Sequence, residues 1–351
     1  MAALDRALLI LLAAPWSVTF QDPGGRARRR PPLPRSVAKR LPFDTFTDFH
    51  GAHSNNADIQ FRAPIRDRRY RALYGALAAS LADRKHADGW WAGTYIRLVW
   101  HASGTFDRRA GDGGWTHGAS MRFNPERNST SNKGLHDART RLKRVRSAYM
   151  RRASRGQYGR GAVRRPSVSD VWSLAAVAAV QESNGPAIRW RPGRVDARSG
   201  RECPPDLRLP GVTRTPTAKS MREVFQRMGF RDKEMVALIG GGHSLGRFNP
   251  TTSGFHGTWT TDPKRFSNQF FRVLMSHAWF EDPKLANRFT ERRDGGGRFS
   301  FVTTDLELAD DPKLASYARL YARDARSLNR DFATAFSKML HLGIRRRTSR
   351  H

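Results

Sequence analysis

Val236-Ala237-Leu238-Ile239-Gly240-Gly241-Gly242-His243-Ser244-Leu245-Gly246 admits two folds. As a strand running into Gly242-His243-Ser244-Leu245-Gly246, it spells the G-x-S-x-G elbow that lifts a nucleophilic serine above a doubly wound sheet. Ser244 would be the nucleophile, with Asp305 and then His341 following in the chain order of that enzyme class. As a helix, the same run carries three adjacent glycines at about 1 kcal/mol each. Such a cost suggests that something approaches the backbone closely. A flat macrocycle lying against the helix, with His243 reaching its metal, meets that description. Its second ring nitrogen then needs a carboxylate partner, and Asp262, Asp305 and Asp310 lie downstream.

The rest of the chain separates the two folds. A doubly wound sheet needs several strands, and residues 298–303 are the best short candidate. Helical spacing is abundant instead. Leu73, Leu77 and Leu81 step by four in residues 70–82, and residues 94–102 continue apolar. Asp170 is placed to cap 171–181, Asp232 to cap 233–245, and Asp311-Pro312 to open a helix through 317–325. Met221, Val224, Phe225 and Met228 form one stripe; Phe332, Phe336, Met339 and Leu340 form another. The chain therefore reads as all-α with minimal β.

A second neighbourhood points to chemistry. In Arg97-Leu98-Val99-Trp100-His101, positions i, i+3 and i+4 share one helix face. Arg97, Trp100 and His101 then look into one space. A histidine can accept and return a proton near neutral pH, and an arginine can stabilise developing negative charge. On these residues alone, a partly buried helix with a snorkelling arginine remains the plainer reading.

Composition narrows the class. The 351 residues include 63 Lys+Arg against 31 Asp+Glu, a formal net charge of +32. One cysteine, Cys203, excludes a disulfide framework and a Cys-rich zinc site. It also lacks the glycine-rich loop expected of a thiolate haem ligand. No apolar run approaches the roughly 20 residues of a membrane span. Residues 24–40 hold seven basic residues and residues 138–169 hold eleven, without an acid in either, so 18 charges sit in two blocks. Neither block interleaves several aromatics, which argues against a single-strand nucleic-acid groove. A twelve-residue apolar run at 7–18 followed by the Arg/Pro-rich 24–40 reads as a targeting leader over residues 1–45. Residues 151–166 read as a basic loop insertion.

Together these stretches resemble one family. Residues 97–107 (RLVWHASGTFD) are similar to the distal helix of class I haem peroxidases, the group of cytochrome c peroxidase and ascorbate peroxidase. The similarity continues through Gly113-Gly114, Met121-Arg122-Phe123 and Ser131-Asn132-Lys133-Gly134-Leu135. It resumes at 179–182, 185–186, 191–196 and 208–210, and covers 236–247, 253–259, 304–305 and 332–344. It thus spans most of residues 60–345 in family order.

The resemblance implies an all-α, two-lobed fold with one haem b between a distal lobe (about 60–200) and a proximal lobe (about 201–345). It implies reduction of hydrogen peroxide to water by one-electron donors, in oxidative-stress defence. His101 is implied as the distal acid–base, Arg97 as the aid to O–O cleavage, and Trp100 as pocket lining. Asn132 would fix the His101 tautomer. His243 is implied as the axial iron ligand, Asp305 as acceptor of its N–H, and Trp259 as the neighbouring indole that cytochrome c peroxidase oxidises. Asn249 and Ser253 stand where the family contacts haem propionates, although a His is usual at 249.

The departures bear on the donor. Thr252 stands where ascorbate peroxidases carry Arg, and Ser244, Thr260 and Ser267 occupy a proximal cation site that has lost its Asp. The lost Asp predicts no tightly held cation, and both departures favour a cytochrome c-like donor over ascorbate, whereas a basic surface repels a basic cytochrome. The third glycine before His243 is one more than the family usually has, and a bulge in the helix is expected. An organelle, mitochondrion before plastid, follows from the leader. Two remote readings remain: the serine hydrolase, and a basic nucleic-acid-binding protein on a degenerate peroxidase fold.

Overall fold

The computed structural model describes residues 65–206, 208–209, 217–253, 255–281, 288–291 and 299–344. The expected leader over residues 1–45 lies outside them. Helix α4 (Val168–Glu182) is the centre of the first half, with every residue from Ser169 to Gln181 buried. It is apolar all round and rich in alanine, which suits a helix enclosed on all sides. Helices α1 (Arg71–Ala79) and α2 (Ala92–Gly104) pack against it through Leu73, Leu77, Tyr95, Leu98 and Val99. Helix α3 (His136–Ser154) lies alongside through Ala138, Leu142, Tyr149 and Ala153.

In the second half, α5 (Ala218–Arg227) precedes α6 (Asp232–His243), which packs on α11 (Ala325–Met339) and α10 (Pro312–Arg323). A short turn of helix, α7 (Pro250–Ser253), and then α8 (Gln269–Ser276) follow α6. A three-stranded antiparallel sheet comes next, in the order β1 (Trp279–Glu281), β2 (Arg288–Glu291), β3 (Ser300–Val302). Phe289 pairs with Glu281 on one side and Phe301 on the other. Only β3 falls in the stretch the sequence marked as a strand; three- and four-residue strands are too short for a period-2 pattern. Helix α9 (Thr303–Asp310) leaves β3 directly.

Three sequence expectations change. Ser167, not Asp170, caps α4: its Oγ accepts from Asp170 N at 3.0 Å. Asp170 instead binds the buried Arg194 at 2.9 Å and accepts from Tyr70 Oη and Gly193 N. Burial pushes the Arg194 guanidinium down to about 10, against the pull of Asp170. Asp232 is the first residue of α6 and pairs with Arg222 and Lys313 rather than capping. Residues 151–154 belong to α3, so the basic segment read as a loop over 151–166 is helix in its first part.

Candidate active site

Helix α2 buries Tyr95, Leu98, Val99 and Ala102 against the core and turns Arg97, Trp100 and His101 the other way. That face meets α6. The approach is close because glycines sit at it: a Cβ on Gly93 would fall 2.7 Å from Gly246 Cα, and Gly246 has φ +84°.

The three glycines before His243 do not share one role. A Cβ on Gly240 would lie 2.2 Å from Phe271 Cζ, and one on Gly241 would lie 2.3 Å from Phe332 Cδ2. Aromatic packing therefore excludes side chains at both. At Gly242 the nearest atom is Ile96 Cγ2 at 3.9 Å, an ordinary contact, so of the three this glycine alone leaves room for a side-chain carbon beside α2. The expected bulge is absent. The helix is regular from Asp232 to His243, and Ser244 N donates to Gly240 O at 3.0 Å.

His243 ends α6 with its side chain 36% exposed, while its partner Asp305 is fully buried. Asp305 comes from the first turn of α9, immediately after β3. Its Oδ1 accepts from His243 Nδ1 at 3.0 Å. Its Oδ2 accepts from Trp259 Nε1 at 2.8 Å and from Val302 N at 3.1 Å. A carboxylate only accepts, so His243 carries a proton on Nδ1, and Nε2 is the nitrogen turned away from Asp305. Trp259 lies flat on the imidazole, with centroids 4.3 Å apart and planes 10° apart. It is held there because Thr258 bridges to both Arg247 and Phe299.

The distal side repeats this logic with an amide. Asn132 is buried, and its Nδ2 donates to Glu126 O at 2.9 Å, which fixes the orientation of the amide. Its Oδ1 therefore faces His101 Nδ1, at 3.0 Å, and accepts from it. His101 Nε2 is left as an acceptor. Burial above all, and then the Arg97 charge, push the His101 pKa down to about 3, against the Asn132 bond that raises it. The ring is neutral at physiological pH. Arg97 donates to Lys133 O at 2.9 Å and Ser131 O at 3.1 Å, and burial lowers its pKa from the ordinary arginine value. Trp100 stacks on Phe225 of α5 at 5.1 Å.

A family model described as Peroxidase matches residues 77–324. The chain belongs to the peroxidase family. It is 39% identical over 286 residues to a mitochondrial cytochrome c peroxidase of Aspergillus fumigatus, covering 78% of this chain and 70% of that protein. A mitochondrial cytochrome c peroxidase of Cryptococcus neoformans var. grubii is 37% identical, covering 78% and 68%. A putative heme-binding peroxidase of Gibberella zeae is 36% identical, covering 79% and 80%. The chain is an enzyme, a haem peroxidase of the class I type, and its all-α architecture is the one the sequence resemblance implied.

The peroxidase assignment displaces the hydrolase. Gly242–Gly246 is a helix end rather than a strand-to-helix turn, and Ser244 is buried with its Oγ donating to Gly241 O at 2.7 Å. Asp305 serves His243 and Trp259, and His341 Nδ1 faces Ser337 O at 2.6 Å. Cys203 turns its thiol toward backbone carbonyls at 3.6–3.8 Å, and burial raises its pKa. Asn249 and Ser253 stand together on an exposed turn: Ser253 N and Oγ both reach Asn249 O, at 2.8 and 2.9 Å. Of the expected cation residues, Thr260 donates to Ser244 O at 3.3 Å and Ser267 Oγ accepts from Gln269 N.

Sequence reasoning missed Glu126 and Phe225. Glu126 acts through its backbone carbonyl, which every residue type owns, so no side-chain signal marks it. Phe225 was read as an apolar stripe of α5, and only the packing shows that one edge of that stripe meets Trp100.

Proposed function

We propose that this peroxidase reduces hydrogen peroxide to water at one haem b held by His243, with a cytochrome c-like protein as electron donor, in the mitochondrion. One observation carries the site. Two histidines on facing helices each have Nδ1 locked, one by Asp305 and one by Asn132, and each keeps Nε2 free. The donor set suits haem: His243 offers Nε2 beside Gly242, the one glycine of its run where a side-chain carbon would meet no clash. Asp305 supplies the carboxylate that such a ligand needs on its other nitrogen.

When bound, haem supplies the iron that takes up peroxide and the electrons that reduce it. His101 Nε2 accepts a proton from one peroxide oxygen and returns it to the other, the leaving one. Its pKa near 3 keeps it unprotonated and ready to accept. Asn132 prevents the ring from turning or changing tautomer. Arg97, tethered by the Ser131 and Lys133 carbonyls, offers positive charge to the departing oxygen. Asp305 orients His243 and the Trp259 indole together. Trp259 is the side chain we assign to passing the donor's electrons, and Asn249 and Ser253 are those we assign to the propionates. Two protons and two electrons balance the reaction of one peroxide to two waters.

The donor reading rests on the names of the relatives above and on Thr252, which stands in place of an ascorbate-binding arginine. The charge of +32 favours a second reading, a small anionic reductant. Stopped-flow addition of peroxide to the haem-loaded protein, followed by ferrocytochrome c or ascorbate, tests both. Rapid oxidation of ferrocytochrome c is expected. Oxidation of ascorbate alone would move the donor to the second reading. An unchanged Soret band in His243→Ala would refute the ligand.

A further inference from the structure

The basic segment 138–169 divides sharply in the structure. Three of its eleven cations are used inside the fold. Arg141 binds Asp83 at 2.7 Å and the Ser80 carbonyl, and Arg146 donates to Pro166 O at 2.8 Å. Arg139 is half-buried beside Glu126. The other eight, Lys143, Arg144, Arg151, Arg152, Arg155, Arg160, Arg164 and Arg165, are exposed. Among the described residues none of these eight has an ion-pair partner.

The segment after α3 is docked. Tyr158 stacks on Tyr149 at 4.9 Å, Tyr149 Oη donates to Val163 O at 2.9 Å, and Val163 N donates to Arg69 O at 3.0 Å. That last bond joins the segment to the start of α1, where Arg66, Arg68 and Arg71 are exposed as well. The cations thus stand on three neighbouring elements: the outer face of α3, about 28 Å long at 1.5 Å per residue, the segment after it, and the approach to α1.

We propose that this face is a docking surface for an anionic lipid bilayer. Charge complementarity is the main argument: the eight uncompensated cations of α3 and the segment docked after it, with Arg66, Arg68 and Arg71 on the adjoining element, repel one another, and a sheet of anionic headgroups relieves them together. Their spread over three elements suits a broad planar partner better than a strand held in a groove. Along α3 the outward positions between the cations are Thr140, Ser147, Ala148 and Ser154, and in the segment after it Tyr158 is engaged by Tyr149, which leaves Gln157 as the one exposed amide among the cations, too little for a base-reading groove. Among the described residues the large exposed apolar side chains, Val195, Phe280 and Leu320, lie on other elements. The protein would therefore rest on headgroups without inserting, and salt would release it.

The full chain, haem-loaded, is sedimented with vesicles of phosphatidylcholine alone or with 30% phosphatidylglycerol. Binding to the anionic vesicles only is expected, with at least a tenfold loss on raising NaCl from 0.1 to 0.5 M. The variant R144E/R151E/R155E/R160E should lose binding at least thirtyfold and keep its peroxide turnover, since none of the four touches the site. R144Q/R151Q/R155Q/R160Q repeats the test with neutral side chains should the reversal variant fail to fold. Equal binding to neutral vesicles overturns the proposal, as does undiminished binding by a folded variant. Release from anionic vesicles by 30-base-pair duplex DNA at equal phosphate concentration would assign the face to nucleic acid instead.

Discussion

Asp305→Asn tests the proximal arrangement without relying on haem. The native carboxylate accepts three N–H groups: His243 Nδ1 on one oxygen, and Trp259 Nε1 and Val302 N on the other. An asparagine has one acceptor oxygen and one NH2. If its oxygen faces Trp259 and Val302, the NH2 meets the His243 N–H head-on, and His243 must move its proton to Nε2. If its oxygen faces His243, the buried Trp259 N–H and the part-buried Val302 N–H lose their acceptor. A buried donor left unpaired costs about 1–3 kcal/mol. The second arrangement therefore costs about 2–6 kcal/mol, a large share of a typical 5–15 kcal/mol stability. The first costs less but abolishes the free Nε2.

Urea unfolding of the haem-free protein measures the stability, and 15N chemical shifts of the His243 ring report which nitrogen carries the proton. A loss of at least 2 kcal/mol, or a switched tautomer, is expected. Adding Trp259→Phe removes one of the stranded donors, so the double variant should be less destabilised than the sum, by about 1 kcal/mol or more. A change under 0.5 kcal/mol with the native tautomer retained would refute the three-donor account.

Other expectations follow from single side chains. His101→Leu should retain haem and slow the peroxide reaction by about 10²–10⁴-fold, measured by stopped flow; an unchanged rate would remove His101 from the reaction. Because the native His101 pKa is depressed to about 3 from an ordinary 6.5, the unfolded chain binds the extra proton between these values. The stability tied to the neutral ring is complete above pH 6.5 and drains as pH falls toward 3, and the peroxide rate constant should stay level until the pH nears 4. Gly240→Ala should destabilise by about 1–3 kcal/mol through collision with Phe271. Gly242→Ala should instead raise apoprotein stability by up to about 1 kcal/mol and weaken haem uptake, read by Soret titration. Ser244→Ala removes the bond to Gly241 O at a cost of about 1 kcal/mol and should leave peroxide turnover intact; a loss of esterase activity would revive the hydrolase.

Local spacing was enough to make the helices legible. Four-residue steps in α1 and the stripes of α5 and α11 are one-dimensional patterns, and each forms where the spacing predicted. The i, i+3, i+4 set of Arg97, Trp100 and His101 is legible for the same reason, since helix geometry alone puts them on one face. The strands β1 and β2 were not legible, because so few residues carry no period. The cap of α4 was misread because Ser167 and Asp170 are both good caps, and only the buried Arg194 decides which one is engaged elsewhere.

The sequence by itself determined the residue types: two histidines, an arginine, an indole, a carboxylate and an amide, in family order. Which of them touch was decided by the tertiary structure. Asp262, Asp305 and Asp310 are equivalent carboxylates to a reader of spacing, and β3 running straight into α9 delivers Asp305 to His243. The three glycines look alike in the chain, yet Phe271 and Phe332 claim two of them and leave one open. Eleven cations over residues 138–169 with no acid among them look like one solvated block, and the fold uses three and exposes eight. Composition and period are properties of the chain; hydrogen-bond partners and burial arise only when distant segments meet, and those fix tautomer, charge state and reach.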